Sequence, residues 1–319
     1  MRRPPSSKSS KNPKIKSLKI CFDVKLSGGV DYRRISIFLI TAYAPAYLMD
    51  FIIYLVGSER ALANPFYQSL IAGRMYFPML GVILSLLITK AGIKDGLKMY
   101  GLRVGKRFPQ LFLLGASIPY LIYIVGIAYG YLIGFPVMNP VEKIYPALPK
   151  EVKYLLSPST LLALSLISAF ISGISLNTLF AIGEEIGWRG LMLDELRKRF
   201  SLPITSTIIG VVWSLWHAPL IILFGYNYPT NRPLGILLYT TICIIWTYIL
   251  SILKILGGSI IPAAVMHGML NAMVALMLST IPVQRILGMP VGLLSIISSF
   301  TVLIPIIVLE RIVRSPRSK

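Results

Sequence analysis

The chain has 319 residues, 55% of them apolar and only 14% charged, against about 25% charged in an ordinary soluble domain, so a water-soluble globular fold is excluded. Lys and Arg number 32 and Asp and Glu 12, a net charge of +20 that in a soluble protein would point to nucleic acid. Here the charge lies between long apolar runs, which makes the expected partner a lipid bilayer and removes nucleic acid.

Residues 1–34 are rich in Ser, Pro and Lys, carry 10 basic and 2 acidic residues, and are expected to form a disordered cytoplasmic tail. No cleavable signal peptide is expected, because about thirty polar residues precede the first apolar run. Crossing a bilayer takes roughly 20 residues. Eight runs qualify, at 35–57, 69–89, 111–135, 158–183, 203–225, 234–256, 259–278 and 290–309. Each is expected to be a helix, since backbone polar groups in hydrocarbon must be satisfied within the segment and barrel-like alternation is absent. The expected fold is therefore all-α: a polytopic membrane protein whose bundle of about eight transmembrane helices encloses a polar cavity. One membrane domain spans 35–310, with its motif-bearing core at 158–280, and a basic tail follows at 311–319.

Sorted by loop, 25 basic residues fall on the side of the N-terminus, and only Arg60, Lys143, Lys150, Lys153, Arg232 and Arg285 on the other. The positive-inside rule then puts both termini in the cytoplasm, at the cell membrane of a prokaryote or the endoplasmic reticulum of a eukaryote. Cys21 lies in the tail and Cys243 in the sixth run, so neither a disulfide nor a thiolate metal site is expected.

Ionisable groups in hydrocarbon cost roughly 2.5 to 3.5 kcal/mol each at a helix centre, so each needs a reason to be there. Asp50 and Arg74, on neighbouring runs, are expected to pair with each other and receive no functional role. The segment AIGEEIGWRGLMLDELRKRF is more specific. Glu185 and Arg189 share a helix face at i, i+4 and should form a salt bridge, whereas Glu184 points elsewhere. The i+4 neighbour of Glu184 is Trp188, an apolar wall of the kind that poises a carboxylate as a general base. Gly183, Gly187 and Gly190 permit close helix contact around the pair. His217 closes the run WSLWH, one turn after Trp213; a lone histidine on an apolar face is more often a satisfied core residue. His267 opens HGMLN, where Asn271 shares its face, so an imidazole and a carboxamide project together as hydrogen-bond donors suited to a developing oxyanion.

The order EEIGWR, WSLWH, HGMLN resembles the EExxxR, FxxxH and HxxxN motifs of the CAAX protease and bacteriocin-processing (CPBP) family, which includes the type II CAAX prenyl endopeptidases. Trp213 stands where that family usually has Phe. The resemblance implies Glu184 as the base that activates water with His217, His267 and Asn271 as oxyanion donors, and Glu185 with Arg189 as support, alongside the aromatic walls Trp188 and Trp213. It implies an intramembrane endopeptidase without a cofactor, acting on a peptide or protein substrate that in one branch is prenylated. Two alternatives stay open: a Zn²⁺ held by Glu184, His217 and His267, and a non-proteolytic transporter or scaffold built on the same buried groups. For the three motifs to meet at one depth, the fourth helix must continue past residue 183, to about 198, or the fifth must begin later than 203.

Overall fold

The computed structural model describes residues 29–314 apart from Lys143, so residues 1–28 of the expected tail and residues 315–319 lie outside the described residues. In chain order the long elements are α1 (Tyr32–Gly57), α2 (Pro65–Ile88), α3 (Phe108–Leu132), α4 (Pro158–Leu196), α5 (Leu202–Phe224) and α6 (Arg232–Gly257). A pair bent by 45°, α7 (Ile261–Ala272) and α8 (Val274–Thr280), comes next, and α9 (Leu293–Arg314) closes the bundle. Among the described residues, 7 helices are long and apolar enough to cross a membrane, or 8 if the bent pair is one span. The protein is thus an all-helical, multi-pass integral membrane protein.

These elements fall on the eight apolar runs, and the differences lie at their ends. Counting apolar residues stops at the first charge, but helical hydrogen bonding does not. Asp31 caps α1 by accepting the Arg34 N–H at 3.0 Å, so the helix begins inside the expected tail. At the other end Glu310 and Arg314 pair at 2.6 Å across one turn, and α9 runs past residue 310. Asn64 and Ser157 cap α2 and α4, each followed by a proline in the first turn. The greatest change is in α4, which reaches Leu196 and counts 39 residues. Continuation past residue 183 was the condition for the motifs to meet. Two wide turns closed by i→i+5 bonds interrupt it, at Gly173–Asn177 and Ile186–Met192.

Helix α7 sits at the centre, buried without a gap from Pro262 to Leu270, and packs against α3, α4 and α6. Around it α5 runs along α6 and α1, α1 along α2, and α9 against α3 and α6. Lipid tails are as apolar as the side chains, so close fit holds such a bundle together. At Gly183 a Cβ would stand 2.6 Å from the carbonyl oxygen of Met75, so only glycine lets α4 lie this close to α2.

Candidate active site

Helices α4, α5 and α7 bring the three motifs to one place. Glu184, Trp213, His217, His267 and Asn271 all line a single cavity of about 430 Å³ inside the bundle. Glu184 is buried, and its Oε2 accepts a hydrogen bond from the indole Nε1 of Trp213 at 2.6 Å. That link orients the carboxylate and leaves Oε1 free to meet a water. The Nδ1–H of His217 donates to the Trp213 carbonyl at 3.0 Å, one turn back on α5. A neutral imidazole held in this way presents Nε2 as an acceptor.

Glu185 points away from Glu184, as helix geometry requires. Its Oε1 accepts from Arg189 Nη1 at 2.9 Å and from His267 Nδ1 at 2.9 Å. Arg189 goes on to donate to Thr247 on α6 at 3.0 Å, and its guanidinium lies 4.2 Å from the Trp213 ring centre. The expected Glu185–Arg189 bridge is present, fully buried, and it carries a third member. Fixing Nδ1 of His267 on Glu185 aims the opposite edge of that ring, with the Asn271 carboxamide one turn along α7, at the cavity.

Trp188 departs from the expected arrangement. It is buried, yet it stacks edge-on against Phe38 (5.0 Å) and Trp216 (6.2 Å) and does not line the cavity. The wide turn beginning at Ile186 is the cause, because i→i+5 bonding no longer stacks residue i+4 over residue i. Trp213 supplies the wall instead, with its ring 5.8 Å from His217 and 5.3 Å from His267.

Asp50 and Arg74 pair at 3.1 Å, both buried, as their positions on neighbouring runs imply. Sequence reasoning missed that Arg74 also lines the cavity, lying 3.9 Å from the Trp216 ring centre and donating to the Trp216 carbonyl at 2.7 Å. Tyr239, whose ring lies 5.2 Å from that of His217, was missed as well. An arginine within an apolar run was the available signal for the first; nothing local marked the second. Among the described residues, no three His, Cys, Asp or Glu side chains form a group that could hold a metal ion. Glu184, His217 and His267 share a cavity without converging as a ligand set, so no step is routed through zinc.

The fold and site define a class: a multi-pass membrane protein with a buried carboxylate, two histidines and a carboxamide around an internal cavity. Residues 158–273, which contain every motif residue, match the family described as Rce1-like, type II CAAX prenyl endopeptidase Rce1-like. The CAAX prenyl protease 2 of Methanococcus maripaludis is 48% identical over 52 residues, which is 16% of this chain and 19% of that relative. The chain thus matches about a fifth of the relative's length.

Proposed function

We propose that the protein is an intramembrane endopeptidase of the glutamate type. The observation that carries this reading is the convergence of Glu184, His217, His267 and Asn271, from three helices, on one cavity. A water held between Glu184 Oε1 and His217 Nε2 donates one hydrogen to each. Glu184 takes its proton as the oxygen attacks the peptide carbonyl carbon, and the carbonyl electrons move to the oxygen. Asn271 and the cavity-facing N–H of His267 hold that oxyanion. Collapse of the tetrahedral intermediate breaks the C–N bond, and the proton on Glu184 passes to the departing amine. For His267 to donate at Nε2 while Nδ1 donates to Glu185, the ring must carry both protons. The two carboxylates are then balanced by Arg189 and the imidazolium, which suits a cluster this deeply buried.

Beside its polar groups, which include Arg74, Gln68 and Asn177, the cavity wall carries Leu62, Ile71, Leu176, Leu220 and Val274, and this apolar part suits a peptide with an apolar or lipid-modified residue. The relative's name specifies a CAAX prenyl substrate, and a farnesylated peptide is the first probe to use. In a cell-free assay with detergent-solubilised protein, Glu184→Gln and His217→Ala should each lower cleavage by about 10²- to 10⁴-fold. Asn271→Ala should lower it by about 10²- to 10³-fold. Full activity in Glu184→Gln would sink the reading, and cleavage is expected to persist in the presence of a strong chelator. A transporter would need a gradient, whereas this reaction proceeds in micelles.

A further inference from the structure

We propose that Arg74 is a specificity-determining residue whose guanidinium receives a carboxylate of the peptide substrate, either the α-carboxylate at its chain end or an acidic side chain close to the scissile bond. This rests on the endopeptidase reading and adds to it a chemical feature that the substrate must carry.

Hydrolysis accounts for Glu184, His217, His267 and Asn271 on the cavity wall. Among the described residues, that leaves Arg74 as the one charged side chain of the wall with no part in the reaction. It sits near the middle of α2 and is 1% exposed, where a charge is costly and marks a functional group by default.

Pairing with Asp50 does not exhaust its donors. Asp50 is fully buried and is not part of the wall, so it supports the guanidinium from outside the cavity. Its Oδ2 comes nearest to Nη2 at 3.1 Å, yet neither oxygen of Asp50 accepts a well-directed hydrogen bond. The directed bond of the guanidinium, to the Trp216 carbonyl at 2.7 Å, also leaves from Nη2. Nε is buried and has no partner. A guanidinium carries five N–H groups in a rigid fork that matches the two oxygens of a carboxylate, and such pairs are frequently bidentate. The pair with Asp50 is not, and the donors left over are those a second carboxylate would take.

The same contacts put Arg74 beside the reacting groups. The carbonyl it holds belongs to the residue before His217, and its guanidinium lies 3.9 Å from the Trp216 ring centre. The carbonyl oxygen of the next residue, Met75, would lie 2.6 Å from a Cβ on Gly183, and Glu184 follows Gly183. An extended peptide advances roughly 3.3 to 3.6 Å per residue, so a carboxylate held at Arg74 belongs to a residue only a few positions from the bond that is cut. The oxyanion is served from α7, by His267 and Asn271, whereas Arg74 enters on α2 and is tied to α5. Separate walls suit separate parts of one substrate.

Three farnesylated peptides test this with purified full-length protein in detergent. One ends in a free carboxylate, one in an amide, and one in an amide with a Glu placed after the farnesylated cysteine. One or both of the carboxylate-bearing peptides should be cleaved with a kcat/KM about 10- to 100-fold above that of the neutral amide, the range set by a hydrogen bond to a charged group. Whichever is favoured identifies the source of the carboxylate. Removing Arg74 alone would strand Asp50, so the variants are Arg74→Lys, which keeps the charge and loses the fork, and Asp50→Asn combined with Arg74→Gln. Arg74→Lys should shrink the preference and the double variant should abolish it, with the loss on the favoured peptide falling on KM more than on kcat. Equal cleavage of all three peptides by the unaltered protein, or a preference that survives in the double variant, would overturn the proposal. So would a loss on all three peptides alike in both variants, since Arg74 would then act on the fold or the oxyanion. These results leave the endopeptidase reading standing, whereas cleavage by Glu184→Gln sinks that reading itself.

Discussion

Trp213 joins more of the site than any other side chain: its N–H holds Glu184, its ring faces both histidines, and Arg189 lies over its face. Trp213→Phe would keep the aromatic wall and remove only the hydrogen bond, of a kind worth about 1.5 to 3 kcal/mol when one partner is charged. We expect kcat to fall about tenfold with KM changed less than about twofold, since ~1.4 kcal/mol is a factor of ten; equal rates for the two proteins would show that the N–H is dispensable. Arg189→Met would leave Glu185 buried with His267 as its remaining partner, and breaking a buried pair costs ~3 to 5 kcal/mol. A clear drop in the thermal midpoint of the purified protein is the expected result. The Glu185–Arg189 pair was legible because its two members sit one turn apart on one helix. The Trp213–Glu184 link was not, because it joins α5 to α4 and no local pattern says which faces meet. Trp188 misled for a related reason: spacing was read on a regular helix where the backbone makes a wider turn.

Among the elements, hydropathy located every membrane-length helix, since a lipid-embedded helix must be apolar over most of its length. It failed where a helix is lined by protein instead of lipid. Residues 184–196 fell outside the apolar run because Glu184, Glu185, Arg189, Asp194 and Glu195 interrupt it, yet each of these side chains has a partner within the fold. The bend between α7 and α8 at Met273 was equally hidden, for neither proline nor glycine marks it. Where α7 crosses α4, a Cβ on Gly268 would lie 2.6 Å from both the Gly173 carbonyl oxygen and the Thr178 nitrogen. Gly268→Leu must therefore push α7 away from α4 and pull His267 off Glu185. We expect a protein that still inserts into membranes but cleaves at least tenfold more slowly, with Gly268→Ala intermediate. Unchanged cleavage in the leucine variant would mean that the two helices need not touch.

For the whole molecule, a cavity within the bundle was foreseeable from the ionisable groups in the apolar runs, whereas the full set of residues that line it needed the packed bundle. Helix α4 adds a property of its own. At ~1.5 Å per residue its 39 residues measure about 58 Å, almost twice a hydrocarbon core of about 30 Å. Its first 15 residues, Pro158–Ser172, have Ala169 as their one buried residue, so much of this stretch is left to face lipid. In a bilayer of short acyl chains this rod must lean further over, at a cost of fractions of a kcal/mol per Å of mismatch. Because the same rod bears Glu184, leaning shifts the base relative to the groups on α5 and α7. Reconstituted into phospholipids of graded chain length, the protein should turn over fastest at one thickness and more slowly on either side of it. The surrounding membrane would then act as a tuning element for hydrolysis, set by the cell's choice of fatty acids.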